Sequence, residues 1–252
     1  MKRLMTFALV LALAATVLIG CAPKEPPAPP APVYVYNNGT FFASSNATAR
    51  GYMTAEVTIE NDKITAVTLV GYGNLATEKD ETYGAAAGYT GYHEMKAELP
   101  KAFVEKNTWD VDIYTGATSS SNQSKQAVQR AMEKALVNKP AGGKYYDGMF
   151  MAMSDVGGRA NDWAVVLVTI ENDKIVEVVI NETRNVTNDA GVTSKAFKDA
   201  EYAWDEYHEA LIELPKAFIA KNSAEIDVFT GATGTSTNAM QAVARALELA
   251  TR

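Results

Sequence analysis

The sequence predicts an α+β chain built from two tandem copies of one small domain, each a mostly antiparallel sheet packed by helices. Three observations lead there. A seven-residue string occurs twice, as Asp112-Ile113-Tyr114-Thr115-Gly116-Ala117-Thr118 and as Asp227-Val228-Phe229-Thr230-Gly231-Ala232-Thr233. A second block, Thr58-Ile59-Glu60-Asn61-Asp62-Lys63-Ile64, recurs without change as Thr169 to Ile175. Each copy also passes from period-two patterning to helical spacing in the same order, as a duplicated domain should.

The elements follow from local pattern. Met53, Ala55, Val57 and Ile59 alternate with Thr54, Glu56, Thr58 and Glu60, the signature of a half-buried strand. Asn61-Asp62 then turns the chain into Ile64 to Val70, which predicts a β-hairpin, and Ala164 to Ile170 with Ile175 to Ile180 repeats it. The stretches from His93 to Val104 and from Tyr202 to Ala220 lean to helix, and their internal prolines, Pro100 and Pro215, predict a break in each. After the seven-residue string, Ala127, Val128, Ala131, Met132, Ala135 and Leu136 sit at helical spacing, as do Ala242, Val243, Ala246, Leu247 and Ala250. Ser119, Ser120 and Ser121, with Thr235, Ser236 and Thr237 in the second copy, are residue types suited to cap those helices.

The repeat offset drifts along the chain. It is 109 at Tyr36 and Tyr145, 111 in the hairpins, and 115 from Tyr92-His93 and Tyr207-His208 onward. Copy two therefore carries four extra residues somewhere between the hairpin and the Tyr-His segment, where a loop would absorb them. Domain one is expected over 36–138 and domain two over 145–252, joined by a short Pro/Gly-rich linker over 139–144.

Upstream, Met1-Lys2-Arg3 is a positive start to an apolar run ending at Ile19, the form of a signal peptide over 1–20. Leu18-Ile19-Gly20-Cys21 resembles a bacterial lipobox, and Cys21 is the single cysteine of the chain. Processing there would leave Cys21 to carry a diacylglycerol, a two-chain anchor that holds a protein on a membrane where one chain would be marginal. Residues 21–35 form a Pro/Ala-rich tether, and at about 3.1 Å per residue the eleven positions from Ala22 to Pro32 reach roughly 35 Å. The expected location is a bacterial membrane, on the extracytoplasmic side.

Composition removes several functions. Of 23 basic residues, Lys2 and Arg3 leave with the signal, so 21 face 30 acidic residues and the mature charge lies near −9. That balance disfavours nucleic acid as a partner. One cysteine allows no intrachain disulfide, no Cys-x-x-Cys-His haem site and no cysteine zinc site. His93 and His208 are the only histidines, lie one in each copy, and propose no metal site. A Walker loop and a Gly-x-Gly-x-x-Gly fingerprint are both missing.

The repeated string carries the chemistry. Gly116-Ala117 and Gly231-Ala232 place two small residues before a hydroxyl, so a bulky group can come close to the backbone, and the following helix turns unpaired N–H groups toward any phosphate there. An ordinary strand-to-helix turn is the plainer reading of one copy; two copies inside a wider repeat favour the site. Asp-x-x-Thr-Gly-Ala-Thr resembles the flavinylation motif of FMN-binding domains, such as those in sodium-pumping NADH:quinone reductase subunits and in flavin-bearing surface lipoproteins. The resemblance implies two FMN groups, joined by a flavin transferase through phosphoesters to Thr118 and Thr233. It implies that Asp112, Thr115, Gly116 and Ala117, with Asp227, Thr230, Gly231 and Ala232, shape or mark those sites. Tyr114 and Phe229 stand where they could line the flavin edge or belong to the core. Glu182 follows the second hairpin strand, as an acidic residue does in many members, whereas Gly71 stands there in copy one. Unequal charge at that position predicts two flavins of different potential.

The function expected on these grounds is a lipid-anchored electron carrier, relaying electrons from a membrane donor to an extracytoplasmic acceptor, rather than an enzyme with its own substrate. The alternative is a lipoprotein that holds flavin or another phosphate ligand noncovalently for scavenging or transport.

Overall fold

The computed structural model describes residues 33–157 and 160–252. The signal segment and Cys21 lie outside the described residues, as does all but the end of the tether. Two antiparallel sheets and four helices make up the body. The first repeat runs β1 (Gly39–Ser44), β2 (Tyr52–Glu60), β3 (Lys63–Tyr72), α1 (Gly91–Lys106) and α2 (Thr118–Ala135). The second runs β4 (Gly148–Met153), β5 (Ala164–Glu171), β6 (Lys174–Thr187), β7 (Thr193–Phe197), α3 (Asp205–Lys221) and α4 (Thr233–Ala250). Strand order is β1-β2-β3 in one sheet and β4-β5-β6-β7 in the other. This is the α+β architecture read from the sequence.

The hairpins form where the alternation placed them. Asn61 and Asp62 have φ of 51° and 61°, Asn172 and Asp173 of 50° and 62°. These are the left-handed pairs of a tight two-residue turn, which Asn and Asp tolerate better than other side chains. One register irregularity falls between Thr58 and Ile59 and recurs between Thr169 and Ile170, so the two hairpins share even their bulge. β1 and β4 carry no alternating signal, because Phe41-Phe42-Ala43 and Met149-Phe150-Met151 run apolar without interruption. Pairing with the hairpin selects them as strands.

Helices cover one side of each sheet. α1 packs on β3 and α2 on β1 and β2; α3 packs on β6 and α4 on β4 and β5. Pro100 and Pro215 do not break α1 and α3, each of which runs unbroken past its proline. The expected interruption is thus corrected. A proline inside a helix costs about 3 kcal/mol, but Tyr92, Met95, Leu99 and Phe103 bury on both sides of Pro100, and Tyr207, Ala210, Leu214 and Phe218 on both sides of Pro215. Burying several such side chains at roughly 1.5–3 kcal/mol each outweighs the lost bond.

The net four-residue difference between copies resolves into two changes. Lys79 N–H donates to the Gly71 carbonyl and Lys198 N–H to the Glu182 carbonyl, both at 2.8 Å, so Lys79 corresponds to Lys198. From Gly71 to Lys79 is 8 positions and from Glu182 to Lys198 is 16, and the hairpin extension of β6 with β7 fills the difference. From Tyr83 to Tyr92 is 9 positions and from Tyr202 to Tyr207 is 5, so the first repeat has a longer segment there, carrying Tyr89.

The two repeats also share packing. Ala47, Tyr52 and Ala76 of the first bury with Met151, Trp163 and Val165 of the second. Trp163 Nε1 donates to the Leu75 carbonyl at 3.0 Å and Ala47 N–H to the Met149 carbonyl at 2.6 Å. Arg130, held in the first repeat by bonds to the Ser44 carbonyl and the Asn46 side chain, reaches the second: it donates to the Asp147 carbonyl at 3.4 Å, its own carbonyl accepts the Tyr146 hydroxyl at 3.3 Å, and its guanidinium lies 4.6 Å from the Tyr146 ring centre. Burial among these groups pulls its pKa down to about 10.

Candidate functional site

Each seven-residue string runs off an irregular segment into the N-terminus of a helix, and the structure makes its last threonine the first helical residue. Ala117 and Ala232 occupy the capping position, and neither helix has a side-chain cap. The Ser/Thr residues downstream therefore do not cap, contrary to expectation. Ser121 and Ser236 are buried inside the helix, their hydroxyls donating to the Ala117 and Ala232 carbonyls at 2.9 Å. The same serine hydroxyl oxygens accept the N–H of Tyr114 at 3.0 Å and of Phe229 at 2.9 Å. Each serine thus pins the string back onto its own helix. Helical start residues leave their first N–H groups unpaired. Among the described residues, those of Thr118, Ser119 and Ser120 meet no acceptor, and the first bond of the helix runs from Ser121 N–H to the Ala117 carbonyl.

Gly116 and Gly231 have φ of 88° and 86°, so the turn needs glycine in both copies. Ala117 and Ala232 are buried, while Thr115, Gly116, Thr118, Thr230, Gly231 and Thr233 are exposed. The threonine hydroxyls are therefore open to a reactant. Asp112 and Asp227 do not hold the turn. Their side chains are 95% and 98% exposed and pair with Lys106 at 2.9 Å and Lys221 at 3.3 Å. The hydrogen bond from Lys106 holds the Asp112 carboxyl below its usual range. Tyr114 and Phe229 pack against the two cores, with Tyr114 Oη donating to Glu94 Oε2 at 2.9 Å.

In the first repeat the string opens onto a cleft of about 910 Å³, lined by Thr48, Arg50, Gly51, Lys79, Tyr83, Tyr89, Gly116, Thr118, Ser119, Ser120 and Gln123, among others. Small-molecule sites span roughly 300–1,000 Å³. Its outer wall is the turn from Thr48 to Gly51, bound to α2 by Gln123 Nε2, which donates to the Gly51 carbonyl at 3.0 Å. Gly51 has φ of 120°, and a Cβ there would overlap the Tyr72 carbonyl. Tyr89 closes the other side, its hydroxyl donating to the Gly116 carbonyl at 3.1 Å.

Sequence reading missed Lys79 and Lys198. Lys79 is buried to 9% exposure, its ammonium 4.8 Å from the Tyr83 ring centre and 5.3 Å from that of Tyr92. Burial pulls its pKa down. Lys198 sits in the same way over Tyr202 and Tyr207, at 4.4 and 4.8 Å. It also contacts Glu182 Oε2 at 2.6 Å, with both side chains under a tenth exposed. A signal existed in the pairing of each lysine with a tyrosine four positions on, but the unequal loops hid the correspondence.

His93 and His208 do not line the cleft. Their Nε2 atoms lie 2.9 and 2.6 Å from the carbonyls of Tyr83 and Tyr202, so they tie down the loops that bear those tyrosines. Among the described residues no group of histidine, cysteine and carboxylate side chains could hold a metal.

The chain matches the FMN-binding domain family twice, over residues 49–133 and 160–248, and it belongs to that family. It is a flavin-binding protein with two copies of the domain. Among solved structures, the CPE2226 protein from Clostridium perfringens is similar to it, with 26% identity over 40% of this chain and 88% of that one and a TM-score of 0.35. No curated protein matches the chain.

The residues present fit FMN. A phosphate has uncapped first-turn N–H groups and a hydroxyl at one end of the cleft, and the aromatic side chains of Tyr83 and Tyr89 give a planar ring apolar surface at the other walls.

Proposed function

We propose that the chain is a lipid-anchored electron carrier with one FMN joined by a phosphoester to each of Thr118 and Thr233. The observation that carries this reading is the placement of both threonines as exposed first residues of uncapped helices, beside a glycine in a left-handed conformation. In attachment, the threonine oxygen forms the bond to phosphorus, its proton passes to solvent or to a base of the transferase, and the leaving group of an activated flavin phosphate departs with its bonding electrons. The transferase supplies that activated donor. Asp112 and Asp227, exposed beside their strings, are available for it to recognise.

Bound flavin supplies the redox chemistry, and the protein supplies position and electrostatics. The helix N-terminus fixes the phosphate end, Tyr89 and the 48–51 turn bound the cleft, and Lys79 and Arg50 give it positive charge. Covalent attachment suits a carrier outside the cytoplasm, where a released cofactor is lost. Cys21, lipidated, would hold the body at the membrane, within reach of a membrane donor and an extracytoplasmic acceptor. No helix among the described residues is long and apolar enough to cross a membrane.

Coexpression with a flavin transferase, followed by intact mass, tests attachment. Two flavin phosphate increments, one lost in Thr118→Ala and one in Thr233→Ala, are expected. Flavin retained without a mass increment would favour the noncovalent alternative.

A further inference from the structure

The position that separates the two sites is not what its sequence difference suggests. Glu182 in place of Gly71 reads as added negative charge in the second repeat. In the structure that carboxylate is consumed by Lys198, in an ion pair of 2.6 Å buried under the helix tyrosine. The matching Lys79 has no such partner. Among the described residues no carboxylate lies within 4.0 Å of its ammonium and no acceptor bonds it, and the neighbouring Glu78 is turned to Lys96 at 3.7 Å. Nor could a carboxylate be added simply, since a Cβ on Gly71 would meet Tyr92 Oη at 2.6 Å and Met53 Sδ at 2.8 Å. Two aromatic faces hold the Lys79 charge in place of an anion, and the ammonium borders the cleft that Thr118 borders.

A second observation points the same way. In the second repeat the side chain of Glu206 lies against Gly231, where a Cβ would meet its Cγ at 2.8 Å. The corresponding first-turn position of α1 is Gly91, and there the neighbour of Gly116 is the uncharged Tyr89. The first cleft thus has a lysine without a counterion and Arg50 on its wall, with Glu94 engaged by the Tyr114 hydroxyl, whereas in the second repeat the matching lysine is neutralised and Glu206 lies against Gly231.

We propose that Lys79 makes the first repeat the electron-accepting member of the pair, with the second repeat as donor. This rests on the reading of one flavin at each string. Reduction makes a bound group more negative unless every electron brings a proton, so an uncompensated cation at the cleft favours the reduced form there. Each electron given up at the second site is taken up at the first, and protons exchange with solvent at both. Electrons entering from the membrane side would settle on the first repeat before leaving for the acceptor.

The test is a spectroscopic redox titration of the doubly flavin-loaded protein, with Thr118→Ala and Thr233→Ala used to assign each midpoint. Two midpoints are expected, the higher belonging to the first repeat. Lys79→Met should lower it toward the other, Lys79→Arg should keep it high, and Glu182→Gln, by freeing Lys198, should raise the second. Thermal unfolding of the flavin-free protein gives a separate readout. Lys79→Met should leave the melting temperature unchanged or raised, because no anion is stranded, whereas Lys198→Met should lower it. Equal midpoints, the reverse order, or a first-repeat midpoint unmoved in Lys79→Met would overturn the proposal while leaving two-flavin attachment intact. Absence of flavin mass on both threonines, with ordered midpoints retained, would overturn attachment alone. Absence of bound flavin altogether would overturn both.

Discussion

Ser121 Oγ bridges the two ends of the first string, accepting the N–H of Tyr114 at 3.0 Å and donating to the Ala117 carbonyl at 2.9 Å. Ser236 does the same between Phe229 and Ala232. Replacing either serine by alanine leaves a partly buried backbone N–H without its acceptor. That costs about 1–3 kcal/mol, and it loosens the turn that presents the threonine. Denaturant unfolding of Ser121→Ala should show the loss, and flavin incorporation at Thr118 should fall while incorporation at Thr233 stays unchanged.

Tyr92 and Tyr207 occupy equivalent helix positions and are both fully buried, yet their hydroxyls differ. Tyr92 Oη accepts the Gly71 N–H at 3.1 Å, whereas Tyr207 Oη is buried with no partner. Burial pushes both phenols up to about 12. Tyr92→Phe should destabilise by about 1–2 kcal/mol because it orphans an amide, and Tyr207→Phe should be neutral or stabilising. Melting temperatures of the two variants decide this directly.

Lys198 and Glu182 form the most buried ion pair described. Removing one member leaves the other charged and unpaired, at a cost of about 3–5 kcal/mol. Lys198→Met should therefore destabilise strongly, and the double variant Lys198→Met with Glu182→Leu should recover much of the loss. A double-mutant cycle by chemical denaturation measures the coupling.

Lys79 gives the folded protein a pH dependence of known sign. Burial lowers its folded pKa below the 10.5 of the unfolded chain. Below the folded value the lysine is charged in both states and its full penalty applies. Between the folded and unfolded values the unfolded chain holds more protons, so stability rises with pH. In the flavin-free protein, Lys79→Met should be more stable than wild type near neutrality, by a margin that shrinks as pH climbs toward 10.5.

Much of this was legible in the sequence because duplication doubled each signal. The Asn-Asp turns, the alternating strands and the helices after each string appear where pattern placed them. What was not legible depended on tertiary context. β1 and β4 are strands because a neighbour pairs with them, Pro100 and Pro215 sit in continuous helices because apolar side chains bury on both sides, and the serines bond backward into the helix instead of capping it. Glu182 was singled out from the sequence, but its partner was hidden by an eight-residue hairpin extension that puts Lys198 out of register with Lys79. The matching backbone bonds to Gly71 and Glu182, with the equivalent seating of each lysine over two tyrosines, restore the correspondence.

Site-resolved mass analysis of the native protein tests the central claim most directly. Peptides containing Thr118 and Thr233 should each carry a single flavin phosphate, and substitution of either threonine by alanine should remove that peptide's increment alone. Unmodified threonines in protein made together with an active flavin transferase would contradict it.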